Sequence, residues 1–274
     1  MPLYRIKKGD GAVWITGASS GIGRELVLQM AREGYTVAAT ARSADKLDEM
    51  VTEAAGWRGT IVAYPCDVTD RNAMQATVRQ IAAETGPIRL AVFNAGSYFP
   101  TYGDAIDLDR FRDSYEVNLF GVLNGLAPVV DHMRAEGRGQ VVFVGSVSAY
   151  SGLPAASAYG ASKAALNNMA ESLLFDLEKM SIRVQVVNPG FVDTPATEQN
   201  DFAMPALMPV DAAVEQMVAG IERGGFEVTF PRRFTYVLKL LRMLPHPLYF
   251  WLVKRSTGWS KRPVATPAPA HRVE

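Results

Sequence analysis

The sequence predicts an α/β fold built on a parallel, helix-covered sheet. Two observations carry that expectation. Short apolar runs alternate with helical patterns from Ala12 to Phe230, and the first run ends in a glycine-rich turn that opens a helix. Alternation of this kind implies parallel strands joined by right-handed crossovers. At 274 residues the chain suits one large domain or two small ones and can bury a substantial core.

Residues 12–15 form the first apolar run, which leads into Thr16-Gly17-Ala18-Ser19-Ser20-Gly21-Ile22-Gly23 and a helical pattern to about Gly34. Strand, glycine turn and helix N-terminus in that order make a phosphate site, because backbone N–H groups converge on an anion. Gly17 permits the tight turn, Gly21 lets the backbone approach a pyrophosphate, and Gly23 allows close helix packing. The spacing is Gly-x-x-x-Gly-x-Gly, not the commoner Gly-x-Gly-x-x-Gly. A second strand is expected over residues 35–41, with Ser43 capping the helix that follows. That strand ends Thr40-Ala41-Arg42. The acid that would hold ribose hydroxyls is missing there, and Arg42 would suit a 2′-phosphate.

Thr60–Pro65 reads as a third strand, followed by Cys66-Asp67-Val68-Thr69-Asp70, with Asp70 a helix cap. Asp67 either accepts a hydrogen bond from an adenine amino group or simply ends the strand. Ile88–Phe93 is a fourth strand, and its small exit, Asn94-Ala95-Gly96, lets a flat ring lie against the backbone. Ligands of open α/β sheets bind at that carboxyl end. A long helical pattern over residues 109–136 holds Asn118 among apolar neighbours. A buried amide there must be satisfied, by the local backbone or by water ordered toward a site. Residues 141–144 form a fifth strand and deliver Gly145-Ser146 to the same end of the sheet. The 13 residues from Ser146 to Tyr159 allow a loop that returns, so Ser146, or its neighbour Ser148, would face Tyr159 across a substrate carbonyl.

Tyr159 and Lys163 stand four apart in a predicted helix of small residues beginning at Ser157. At about 3.6 residues per turn this puts phenol and ammonium on one face. A nearby cation favours phenolate and lowers the tyrosine pKa, which makes Tyr159 the candidate general acid or base. Residues 184–187 form a sixth strand, stopped by Asn188-Pro189-Gly190. Thr194 is then placed to donate to a cofactor carboxamide or phosphate. Residues 195–209, with three prolines, read as a mobile lid that opens at about Thr194. A helix at Val210–Arg223 and a strand at Glu227–Phe230 complete the alternation.

Composition excludes several classes of function. Hydrophobic content of 48% and charged content of 20% are ordinary for a soluble globular protein. Zero net charge provides no global field for nucleic acid or acidic substrates. The single cysteine, Cys66, excludes an internal disulfide and a multi-cysteine metal site, and His132, His246 and His271 are far apart, so no metal is expected. A reducing, cytoplasmic setting fits, and the N-terminus has no apolar stretch of export-signal length.

Taken in order, Thr16 to Gly23, Asn94-Ala95-Gly96, Asn118, Ser146, Tyr159-x-x-x-Lys163 and Asn188-Pro189-Gly190 resemble the motifs of the short-chain dehydrogenase/reductase family over roughly residues 10–230. The resemblance implies a nicotinamide-dependent oxidoreductase on a single Rossmann-like, three-layer domain with a seven-stranded parallel sheet. It implies that Tyr159 exchanges the proton with the substrate oxygen, Lys163 lowers its pKa and binds the nicotinamide ribose, Ser146 bonds the substrate oxygen, and Asn118 holds a relay water. The implied cofactor contacts are Gly17, Ser19, Ser20, Gly21, Ile22 and Gly23 for the pyrophosphate turn, Arg42, Asp67 and Val68 around the adenosine, and Asn94, Ala95 and Gly96 beside its ribose region. Tyr159, Lys163, Pro189, Gly190, Val192 and Thr194 complete that set. Arg42 stands where NADP-preferring members often carry arginine, so NADP is expected over NAD. The family also implies a homodimer or homotetramer. A ketoacyl-thioester reductase is the alternative within enzymes, and a non-catalytic NADP-sensing membrane adaptor the alternative outside them.

Beyond Phe230 the composition changes. Residues 228–262 carry eight bases and no acid. Arg232, Thr235, Lys239 and Arg242 form one polar stripe, with Phe234, Val237, Leu238, Leu241 and Leu244 largely opposite, which describes an amphipathic helix with basic edges. Leu248 to Val253 is apolar all round and aromatic-rich, yet too short to span a bilayer. Residues 231–262 are therefore expected as a helical extension that lies on an anionic membrane, covers the substrate pocket or packs on a partner subunit. A pocket cover would suit an apolar substrate such as a fatty, sterol-like or aromatic ketone. Residues 263–274, rich in proline and alanine, are expected to be disordered.

Overall fold

The computed structural model describes residues 3–198 and 202–264. Seven parallel strands, β1 (Ala12–Thr16), β2 (Thr36–Ala41), β3 (Thr60–Pro65), β4 (Ile88–Phe93), β5 (Gly139–Val144), β6 (Ile182–Pro189) and β7 (Glu227–Phe230), form one sheet ordered β3-β2-β1-β4-β5-β6-β7. Strands β1, β4, β5 and β6 are buried at every residue, as apolar runs without alternation require of strands covered on both faces. The helices are α1 (Gly21–Glu33), α2 (Ala44–Glu53), α3 (Arg71–Thr85), α4 (Leu108–Tyr115), α5 (Gly121–Ala135), α6 (Ser157–Leu177), α7 (Val210–Arg223), α8 (Arg232–Arg242) and α9 (His246–Thr257).

Two apolar cores result, one on each face of the sheet. Val27, Met30, Leu47, Met217 and Ile221 from α1, α2 and α7 meet Val13, Ile15 and Val37 on one face. Met74, Ile81, Leu126, Val129 and Leu166 from α3, α5 and α6 meet Trp14, Phe93 and Phe143 on the other. These three rings pack edge-to-face and stacked at 5.8 and 5.6 Å between centroids. The expected three-layer Rossmann-like architecture is what the chain adopts.

Several local expectations are corrected. Residues 108–135 are helical throughout, as expected, but a π-helical turn at Glu116–Phe120 stands between α4 and α5. Ser43 caps α2 without a side-chain bond, whereas the Asp70 carboxylate accepts from Ala73 N at 2.9 Å. Strand β6 does not stop at Val187, because Asn188 and Pro189 pair with Thr229 and Phe230 of β7. The expected lid is pinned at one end, where Met208 N donates to Phe191 O and Asp193 N donates to Met208 O. Residues 199–201 of that segment and residues 265–274 of the expected tail lie outside the described residues.

The largest correction concerns the extension. Helix α8 forms as expected, with Phe234, Leu238, Leu241 and Leu244 of its apolar face half-buried, but Thr235 and Lys239 of the polar stripe turn inward as well. Thr235 is fully buried, and the Lys239 ammonium pairs with Glu227 and lies 5.4 Å from the centre of the Tyr150 ring. On the opposite side Tyr236, Val237, Leu240 and Met243 are 55, 54, 64 and 81% exposed. The reason is local to β7, whose half-buried Glu227 needs a cation and hydrogen bonds to remain charged there. Lys239 supplies the cation, and the helix rotates to bring it in. In α9 only Tyr249 is buried, so the segment expected to be apolar all round presents Leu248, Phe250 and Trp251 outward.

Candidate active site

Strand order reverses between β1 and β4, which opens a cleft at the carboxyl end of the sheet. A cavity of about 930 Å³ occupies it. Every residue of the expected cofactor set lines this cavity, together with Ser146. Asn118 is the one expected residue that does not.

The glycine turn is built by close approach. Gly17 has φ +68°, and a Cβ there would sit 2.6 Å from Ala95 Cα. A Cβ at Gly23 would fall 2.1 Å from the Gly17 carbonyl oxygen, so the start of α1 rests directly on the turn. Asn94 braces both from β4: its amide donates to the Thr16 and Gly17 carbonyls at 3.1 and 3.2 Å. Thr16 Oγ1 in turn accepts from the backbone N–H groups of Asn94 and Ala95, each at 3.1 Å. The Asn94 amide hydrogens, expected beside a ribose, are thus used within the turn. Ser20 caps α1 with no side-chain bond to the first-turn N–H groups, and that turn holds no acidic residue. An anion fits this helix end on both counts. Thr194, whose hydroxyl donates to Val192 O at 3.3 Å, lies against the open side of Gly21.

At the end of β2, exposed Arg42 shares the cavity wall with Asp67. The Thr69 backbone N–H, its hydroxyl and the Arg42 guanidinium outweigh partial burial and hold the Asp67 carboxyl below the usual range. Both Thr69 bonds are 2.9 Å long and fall on one carboxylate oxygen, which leaves the other free.

The reactive end is partly enclosed, with Lys163 buried and Ser146 and Tyr159 half-buried. Burial raises the Tyr159 phenol above its usual pKa, and a hydrogen bond with Ser146 offsets part of that rise. Lys163 lies on the face that the spacing requires, 5.7 Å from the centre of the Tyr159 ring. Its ammonium donates to the Val144 carbonyl at 2.7 Å, and burial lowers its pKa to about 8. The expected depression of the Tyr159 pKa by lysine is therefore not the dominant effect in this structure: burial is. Ser146 shares the cavity wall with Tyr159 and Ser148 does not; Ser146 Oγ accepts from Ser148 N at 3.2 Å, and the Ser148 hydroxyl is buried without a partner. Tyr98 packs edge-to-face on Tyr159 at 5.0 Å.

Asn118 is carried inward on the π-helical turn and has no exposed surface. Its Oδ1 accepts from Ser97 N at 2.7 Å, while Nδ2 donates to Ser97 O and Ser162 Oγ, both at 3.0 Å. It ties the exit of β4 to α6 through partners distant in sequence, so local backbone bonding does not describe its side chain. Behind Ser146 runs a second polar chain. Ser146 N donates to Asn188 Oδ1 at 3.1 Å, and Asn188 Nδ2 donates to Glu227 Oε1 at 2.9 Å. Glu227 also accepts from Tyr150 at 2.5 Å and pairs with Lys239. Burial would raise the Glu227 pKa, but these bonds to Lys239, Tyr150 and Asn188 hold it low.

This geometry of dinucleotide cleft, Ser146, Tyr159 and Lys163 coincides with a family match over most of the chain: the sequence pattern described as short chain dehydrogenase fits residues 11–204. The chain belongs to that family. An oxidoreductase of Myxococcus xanthus without a characterised substrate is 38% identical to this short-chain dehydrogenase over 86% of this chain and 93% of its own. A 3-oxoacyl-acyl-carrier-protein reductase of Thermotoga maritima is 38% identical over 68% of this chain and 75% of its own. Among solved structures, a short chain dehydrogenase of Mycobacterium paratuberculosis bound to NAD superposes with a TM-score of 0.71 at 26% identity, covering 80% of this chain and 95% of that one. The chain is accordingly an NAD(P)-dependent dehydrogenase or reductase. Reasoning from sequence did not find Tyr98, Ser97, Ser162 or Glu227. Each acts through tertiary proximity, and only Asn188, at the end of its strand, carried a local signal.

Proposed function

We propose that this dehydrogenase is an NADP-dependent carbonyl reductase that interconverts an apolar ketone or aldehyde with its alcohol. The observation that carries this reading is the convergence of Ser146, Tyr159 and Lys163 on the wall of the dinucleotide cleft, with the Lys163 ammonium 5.7 Å from the centre of the Tyr159 ring. When bound, the nicotinamide supplies or accepts the hydride. Tyr159, kept protonated by burial, gives its proton to the carbonyl oxygen, and Ser146 donates a hydrogen bond to the same oxygen as negative charge develops. Lys163 holds positive charge beside the phenol and favours its deprotonated form after transfer. Asn118 acts here as a brace for the β4 exit. Arg42, with no carboxylate at the end of β2, supports a 2′-phosphate and hence NADP over NAD. Tyr98, Phe99 and Val117 on the cavity wall support an apolar substrate, although Asp113 and Glu116 also line it. The Thermotoga relative supports a second reading, reduction of a ketoacyl thioester. Exposed Phe120, Leu123 and Phe175 on the helical face support a homodimer or homotetramer. Among the described residues no helix is long and apolar enough to cross a membrane. The single cysteine supports a reducing, cytoplasmic setting, and the basic, aromatic-rich extension supports contact with a membrane surface.

The test is NADPH and NADH oxidation against ketones, aldehydes and ketoacyl thioesters, with Tyr159→Phe run in parallel. Turnover with NADPH that Tyr159→Phe abolishes supports the reading. Turnover with NADH alone overturns the role of Arg42, and turnover that survives in Tyr159→Phe overturns the proton transfer.

A further inference from the structure

Each of α8 and α9 keeps some apolar side chains against the protein and presents others outward, and the outward set is regular. Arg233, Tyr236, Val237, Leu240 and Met243 make one exposed helical stripe on α8. Pro247, Phe250, Trp251 and Lys254 make another on α9 at the same spacing. The exposed charges that the extension itself carries have one sign, although Glu171 of α6 lies near Arg242. Among the described residues the ion pairs of the extension are Lys239 with Glu227 and Arg262 with Asp104. Arg232, Arg233, Arg242, Lys254, Arg255 and Lys261 are exposed and make none. Residues 228–262 contain no Asp or Glu to answer them.

We infer that α8 and α9 form a seat for an anionic lipid bilayer, with the two apolar stripes in the acyl boundary and the six free bases among the headgroups. Charge selects this occupant. A twofold contact with a second copy would press these cations against their own images with no acid between them. A nucleic acid would match the charge but not the apolar stripes, whereas aromatic and aliphatic side chains rimmed by Lys and Arg suit the headgroup region. The seat is also rigidly joined to the body of the enzyme. Tyr249 donates to Gly152 O at 2.7 Å, Arg262 pairs with Asp104 at 2.9 Å, and Trp259 stacks on Tyr102.

The test is sedimentation of the full-length protein with sucrose-loaded vesicles of phosphatidylcholine alone and of phosphatidylcholine with phosphatidylglycerol. Binding is expected to the anionic vesicles only and to weaken with salt. Leu240→Glu and Trp251→Glu should each weaken it by at least ~10-fold, and each of Arg233→Gln and Lys254→Gln roughly fivefold. These side chains are exposed, so the variants fold and keep their turnover of a water-soluble ketone. Tyr159→Phe should sediment like the native protein, so failure of the catalytic reading leaves this one standing. No binding to either vesicle, equal binding to both, or a Leu240→Glu variant that loses self-association while keeping vesicle binding would overturn the inference.

Discussion

The glycine turn of β1–α1 and the helix α8 are both places where a strand hands over to a helix at the carboxyl end of the sheet, and they are put together in opposite ways. At the turn, contacts are backbone on backbone: Gly23 rests on the Gly17 carbonyl and Asn94 bonds the turn from below. At α8 the contacts are side chain to side chain, with Lys239 on Glu227 and apolar residues outside. Backbone packing has no slack and shows in the sequence as obligatory glycine. Side-chain pairing depends on a partner elsewhere in the chain, and the helix's own amphipathic pattern does not disclose it.

The contrast is broken most severely at Gly23. Gly23→Ala places a methyl 2.1 Å from a carbonyl oxygen that cannot yield. We expect loss of at least ~3 kcal/mol of stability together with loss of dinucleotide affinity, read by urea unfolding and fluorescence titration with NADPH. Lys163 comes next. Its pKa falls from 10.5 to about 8 on burial, so the unfolded chain binds more protons between those values. The charge therefore costs stability below pH 8, and this cost is relieved as pH rises toward 10.5, by up to ~3 kcal/mol. Unfolding of the native protein and Lys163→Met at pH 7 and pH 10 should show the advantage of the variant shrinking by that order; a constant difference would contradict it.

Lys239→Met tests the polar face of α8. It leaves Glu227 half-buried without its cation and should cost about 1–2 kcal/mol. It should also lower kcat several-fold with little change in KM, because Asn188 then holds the Ser146 backbone less firmly. Lys239→Arg should restore most of the rate, whereas a merely structural role predicts that kcat follows stability alone. The smallest effect belongs to the other side of the same helix, where Leu240→Glu should change stability by less than ~0.5 kcal/mol. If it costs as much as Lys239→Met, the orientation of α8 described above is wrong.

Seven strands and the phosphate turn were legible because their causes are local. Buried parallel strands must be apolar on both faces, and a tight turn against a neighbouring strand must be glycine. Tyr159 and Lys163 were legible because helical spacing fixes their common face. Three features were not. The π-helical turn at Glu116–Phe120 has no side-chain signature of its own; it is set by Asn118 reaching Ser97 and Ser162, residues 21 and 44 positions away. The hold on the Ser146 backbone comes from Asn188, 42 positions on. The face of α8 that turns inward depends on the carboxylate of Glu227. For Tyr159, spacing reports a neighbouring cation but not the loss of water around the phenol, which raises its pKa.

The family pattern ends at residue 204, yet the last link that steadies Ser146 comes from Lys239, and the loops that carry Gly152 and Asp104 are fastened by Tyr249 and Arg262. Grafting residues 11–204 of this chain onto the C-terminal portion of a relative would transplant every recognisable motif and leave those anchors behind. Such a hybrid would inherit the reaction but not the tuning, and exchange of natural parts within this family is governed by where the braces end, not by where the motifs do.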